Sequence, residues 1–150
     1  MLLKNRLLRQ WCKIEINYRK AVCMDNQSRP DFIVVYSRLA SLLRRYTGDH
    51  LKLKESRSDS MELVGPPTPP SQGREVWFGA VRIGKNYVSY HLMPIYAFPD
   101  LLEELSPELK KRMQGKSCFN FTKTDENLFQ ELDELTARGY ERFKSEGLIT

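Results

Sequence analysis

Histidine and cysteine are scarce in this chain: 150 residues hold two of the first and three of the second. Cys12, Cys23 and Cys118 have no regular spacing, which excludes a disulfide framework and fits a reducing, cytoplasmic setting. His91 and Cys118, the pair in the body that could share a site, fall short of the three or four ligands zinc needs. No metal or other cofactor is expected. Long apolar runs are also missing. No stretch approaches the ~20 residues of a transmembrane helix, and residues 1–23 lack the uninterrupted apolar centre of a signal peptide.

An excess of one charge is missing from most of the chain. The net charge is +5, but of 24 basic and 19 acidic residues, six and one fall within residues 1–23, leaving 18 of each sign beyond them. A neutral body offers no wide electrostatic footprint, so no nucleic-acid partner is expected. Gly115-Lys116-Ser117 lacks the upstream glycine of a phosphate loop and precedes a strand, which excludes a nucleotide-binding loop.

What is present divides into an arm and a body. In residues 1–23, Leu2, Leu3, Leu7, Leu8, Trp11 and Ile14 fall near one helical face with basic residues between them. This segment reads as a basic N-terminal extension outside the core. A helix packed on the body and a membrane-surface helix are the competing readings. Residues 24–150 read as one domain.

The body opens on a helix start, Ser28-Arg29-Pro30-Asp31, followed by Phe32, Val35, Tyr36, Leu39, Leu42, Leu43 and Tyr46 at three- and four-residue spacing. Leu51–Glu55 and Ser60–Val64 read as strands. Gly65–Gly73 is too rich in proline to be strand or helix interior and reads as an exposed loop. Residues 77–94 form a β-hairpin, with two aromatic-rich runs flanking Gly84-Lys85-Asn86. Simple alternation puts Trp77, Val81 and Ile83 on one face of its first strand and Phe78, Ala80 and Arg82 on the other. In the second strand Val88, Tyr90 and Leu92 should meet helices, while Ser89 and His91 lie on a mixed face. Pro94 should end that strand. Phe98–Leu105 and Pro107–Met113 read as short helices and Lys116–Phe121 as a strand. A last helix, capped by Thr124, buries Leu128, Phe129, Leu132, Leu135, Tyr140 and Phe143. The expected class is α+β: a mainly antiparallel sheet of about five strands, N- and C-terminal helices packed on it, and a short helical segment before the last strand.

Two runs, Phe78–Leu92 and Leu109–Phe121, resemble the YdhG-like family of small α+β domains, chiefly of unknown function. The resemblance covers roughly residues 30–145. It implies the layout above. Some relatives are described as possible intracellular iron chaperones, compared with frataxin. The acids Glu103, Glu104 and Glu108 are interleaved here with Lys110, Lys111 and Arg112, which does not match the carboxylate-rich surface iron would want.

The candidate ligand-binding residues are Lys85, Tyr87, Ser89, His91, Lys116 and Cys118, lining a cleft between the hairpin and segment 99–115. Tyr87 and His91 would orient polar groups and Lys116 would hold an anion. His50 is expected to be exposed. The function expected is non-catalytic binding of a small ligand or protein partner. The alternatives are a metal carrier, by resemblance, and an enzyme using Cys118 and His91 as nucleophile and base.

Overall fold

In the computed structural model of the chain, residues 30–48 and 50–150 are described; the extension at residues 1–23 and the Ser28 cap lie outside them. Helix α1 (Pro30–Arg44) carries Asp31 in its first turn and Arg44 in its last, both favourable to the helix dipole. Of its apolar stripe Phe32, Val35, Tyr36, Leu39, Leu42 and Leu43 are buried, while Tyr46 lies past the helix end and is half-buried against the core. Ile33 and Val34, on the opposite side, stay more than half exposed, at 53% and 55%.

Six strands follow: β1 (Lys52–Arg57), β2 (Ser60–Gly65), β3 (Val76–Ile83), β4 (Val88–Leu92), β5 (Met113–Gln114) and β6 (Cys118–Phe121). They form one sheet in the order β1-β2-β3-β4-β6-β5, and every neighbouring pair is antiparallel. Short turns make this arrangement accessible. Gly84 donates to the Tyr87 carbonyl across the β3–β4 reversal, and Gly115, with φ of 73°, takes the left-handed turn between β5 and β6. The sheet thus has one strand more than the expected five. The addition is the two-residue β5, too short to leave a periodic signal.

One face of the sheet is covered by helices. Helix α2 (Met93–Ala97), a 3-10 turn (Pro99–Leu102), α3 (Pro107–Lys110) and the long α4 (Glu126–Ser145) join α1 there. Leu43 of α1 reaches Gly79, Pro94 of α2 abuts Gly139 of α4, and the Tyr90 hydroxyl meets Thr136 of α4. Segment 106–110 is tied to α4 because Ser106 donates both its N–H and its hydroxyl to the Glu131 carboxylate, at 2.6 and 2.7 Å. Phe78, Phe119, Phe121, Phe143, Tyr90 and Leu132 are among the fully buried side chains. Each such burial contributes roughly 1.5–3 kcal/mol against the entropy of ordering the chain.

The structure corrects several local expectations. The register slips between Leu63 and Val64: Leu63 pairs with Gly79 but Val64 pairs with Trp77, so Phe78 is an extra residue on β3. This bulge reverses the alternation. Phe78 turns into the helical core with Val81, while Trp77 shares the other face with Ala80, Arg82 and His91. Pro94 does not close β4; the strand ends at Leu92 and Pro94 sits in the first turn of α2, where proline is tolerated. Asp125, not Thr124, caps α4, its carboxylate accepting from the Leu128 N–H. Phe98–Leu105 holds only a 3-10 turn. His50 is half-buried rather than exposed, with Nδ1 enclosed.

Candidate functional site

The face opposite the helices carries the chemistry. Cross-strand pairing fixes which residues meet there: Ala80 lies beside His91, Arg82 beside Ser89, Ser89 beside Asn120 and His91 beside Cys118. These pairings hold three of the six sequence candidates, Ser89, His91 and Cys118, on one patch. The other three are elsewhere. Lys85 and Tyr87 sit at the β3–β4 turn, beyond the Val88 end of the strand. Lys116 lies in the β5–β6 turn, past the other end, with its Nζ 5.9 Å from the centre of the Tyr96 ring. The five residues of β4 separate these ends, about 16 Å at ordinary strand rise. Lys85 and Lys116 therefore serve no common site.

Within the patch the polar groups form a chain. The Cys118 thiol donates to Asn120 Oδ1 at 3.4 Å. Its sulfur lies 3.7 Å from His91 Nε2, a hydrogen bond whose direction follows the imidazole tautomer. Asn120 in turn donates its amide to Gln114 Oε1 on the edge strand. Trp77 flanks the imidazole at 6.0 Å between ring centres. Arg82 and Glu62 form an ion pair alongside, their side chains only 18% and 15% exposed. Asn120, Gln114, Arg82 and Glu62 are absent from the sequence candidates. Asn120 had a usable signal, since two residues beyond Cys118 on a strand is the same face.

Electrostatics make this chain neutral. Burial, reinforced by the positive Arg82, pushes the His91 imidazole down to about 4. Burial pushes the Cys118 thiol up to about 12. A nucleophilic cysteine needs the opposite environment, one that favours thiolate. The pair is thus a hydrogen-bonded thiol and a neutral imidazole, without the activation that a Cys/His enzyme requires. Among the described residues, no three His, Cys, Asp or Glu side chains come together as a metal-binding group.

The expected cleft between hairpin and segment 99–115 does not coincide with either of two clefts in the body. One, of about 280 Å³, lies between α1 and α4 and is lined by Arg38, Leu42, Arg45, Phe129 and Asp133 among others. Its charges are paired across the groove, Arg38 with Glu126 and Arg45 with Asp133. The other, of about 350 Å³, is lined by Glu108, Lys111, Arg112, Asp125 and Leu128. None of the six sequence candidates lines either.

No family model, curated protein or solved structure matches the chain. Among the described residues, no helix is long and apolar enough to cross a membrane.

Proposed function

We propose that the protein is a non-catalytic binding domain whose sheet face opposite the described helices, centred on His91, Cys118 and Asn120, receives a polypeptide. One observation carries this reading: the uncharged donor–acceptor chain from His91 to Gln114, set among Trp77, Ala80 and Ser89 on a face that neither cleft reaches. A small molecule is generally held in a concavity; a peptide can lie along a flat surface and use alternating side chains. The neutral state of His91 and Cys118 suits a mainly apolar partner over that pair, because neither carries a charge to desolvate. The metal-carrier alternative has no donor cluster among the described residues to support it.

Amide chemical-shift mapping with an array of amphipathic peptides tests the reading. Perturbations are expected at residues 88–92 and 118–121 and should be lost in His91→Ala. Shifts confined to the α1–α4 groove, or to residues 108–112, would move the site elsewhere. Alkylation of Cys118 as fast as a free peptide thiol would instead revive the enzyme alternative.

A further inference from the structure

Three donors of different chemistry converge on the sheet face opposite the described helices. Cys118 and Asn120 are two residues apart on β6, so they point to the same side. His91 is the cross-strand partner of Cys118 on β4. The Cys118 sulfur lies 3.7 Å from His91 Nε2 and 3.4 Å from Asn120 Oδ1. Asn120 gives its amide N–H to Gln114 Oε1, which keeps its carbonyl end turned towards the sulfur.

These separations suit a shared ion as well as they suit hydrogen bonds. With bonds of about 2.3 Å to sulfur and about 2.0 Å to nitrogen, an ion held by Cys118 and His91 subtends an angle of about 120°. A third bond of about 2.1 Å to Asn120 Oδ1 makes an angle of about 100° with the bond to sulfur. Both angles belong to ordinary three- or four-coordinate geometry, so the ion enters without moving a strand. Cys118 and His91 each keep part of their surface exposed, which leaves a path of entry.

Charge and softness select the ion. A thiolate and a monovalent cation cancel. A divalent cation would leave one positive charge on a half-buried patch where Arg82 and Glu62 already neutralise each other. A thiolate is soft and selects Cu(I) over the hard cations that carboxylates hold, and imidazole also suits copper. Among the described residues no third His, Cys, Asp or Glu joins the pair, as a structural zinc site would require. Cu(I) is satisfied at low coordination number.

The geometry points to a single Cu(I) site on Cys118 Sγ and His91 Nε2, with the Asn120 carbonyl as a weak third donor. On binding, the S–H bond breaks and an S–Cu bond forms. The thiol proton leaves to solvent and no electron is transferred. The imidazole keeps its own proton on Nδ1. Gln114 acts as a positioning residue through the Asn120 amide. This is one soft ion on a thiolate, an imidazole and a neutral amide, not the carboxylate cluster of an iron carrier. It does not rest on the peptide-binding reading.

The full chain carrying Cys12→Ser/Cys23→Ser has Cys118 as its sole thiol, so anaerobic titration with Cu(I) against a chromophoric chelator reads this site alone. One ion per chain is expected. His91→Gln should weaken binding about tenfold or more, at least the loss that removing an outer-shell partner brings. Cys118→Ser should abolish it. Failure to take Cu(I) from the chelator, or equal affinity in His91→Gln, overturns the inference. So does one ion per two chains, which would mark a thiolate bridge between copies. A second measurement leaves all three donors unaltered. In proton–nitrogen correlation spectra of the imidazole rings, Cu(I) should shift His91 Nε2 and leave the His50 ring in place. An unmoved His91 nitrogen overturns the inference. Peptide mapping on metal-free protein depends on neither measurement, so the two proposals fail separately.

Discussion

The two faces of one sheet bury their residues by different means. On the helix-covered face, Tyr90, Phe119 and Phe121 are buried, Tyr90 and Phe121 against Thr136 and Phe129 of α4, and the buried Tyr90–Thr136 hydroxyl contact is complete. Thr136 gives its only proton to the Leu132 carbonyl, at 2.7 Å, so Tyr90 is the donor to Thr136, at 2.8 Å. On the other face the neighbours of these same residues along the strand, Ser89, His91 and Cys118, are polar and enclosed together. The contrast teaches where sequence meaning lies. Aromatic and aliphatic residues on β4 and β6 specify the fold through volume. The polar residues between them add little packing, and their hydrogen bonds run from strand to strand rather than to a helix.

The comparison can be broken most decisively from the helical side. Phe78→Ala removes a ring in edge-on contact with Tyr140 and Phe143, at 6.0 and 5.8 Å. It should destabilise the fold by about 4 kcal/mol, measured by urea denaturation. If the cost were under about 1 kcal/mol, the bulge would not aim Phe78 into the core as described.

Acid probes the opposite face. His91 is lowered to about 4 in the folded chain against 6.5 for a free imidazole. Above pH 6.5 the group is neutral in both states and costs nothing. As pH falls from 6.5 towards 4, the unfolded chain gains a proton that the folded chain refuses, and stability declines by up to about 3 kcal/mol. Denaturation at pH 7 and pH 4 for wild type and His91→Gln checks this, the variant showing a shallower loss. An equal pH slope in the two proteins would place the imidazole in water.

Gly139→Ala sharpens the helical side further. A Cβ there would stand 2.8 and 3.0 Å from the Pro94 ring carbons. Helix propensity alone would gain about 1 kcal/mol, but overpacking against a rigid ring costs roughly 1–3 kcal/mol. The clash should win, lowering the melting temperature.

The smallest contrast sets adjacent residues against each other. Tyr90→Phe removes the donor to Thr136 and should cost about 1 kcal/mol. Ser89→Ala, whose hydroxyl makes only a long 3.5 Å contact with the Arg82 carbonyl, should stay within about 0.5 kcal/mol. A reversal of that order would mean the two faces are equally dependent on their polar bonds.

Much of the fold was legible because periodicity reports burial. The stripes Phe32–Leu43 and Leu128–Phe143, and the triplet Val88, Tyr90 and Leu92, bury as their spacing predicts, except that Tyr46 and Tyr140 are only half-buried against the core. The bulge at Phe78 was not legible, since a single inserted residue depends on the register with β2 rather than on β3 alone. The candidate site was half legible. Ser89 and His91 share a strand, but their meeting with Cys118 depends on a β4–β6 pairing across 27 residues. Lys85 and Lys116 looked like a basic set in sequence and lie at opposite ends of the sheet, because charge pattern carries no information about register.

The edges of the sheet have a consequence for self-association. A strand edge with free backbone groups is a template for another chain. Here β1, on one flank, exposes Lys52, Lys54 and Arg57 and shifts register next to Lys54. The other flank, β5, is two residues long. Both rims are thus poor seeds for edge-to-edge growth into fibrils, and raising the concentration of folded protein should not by itself recruit them.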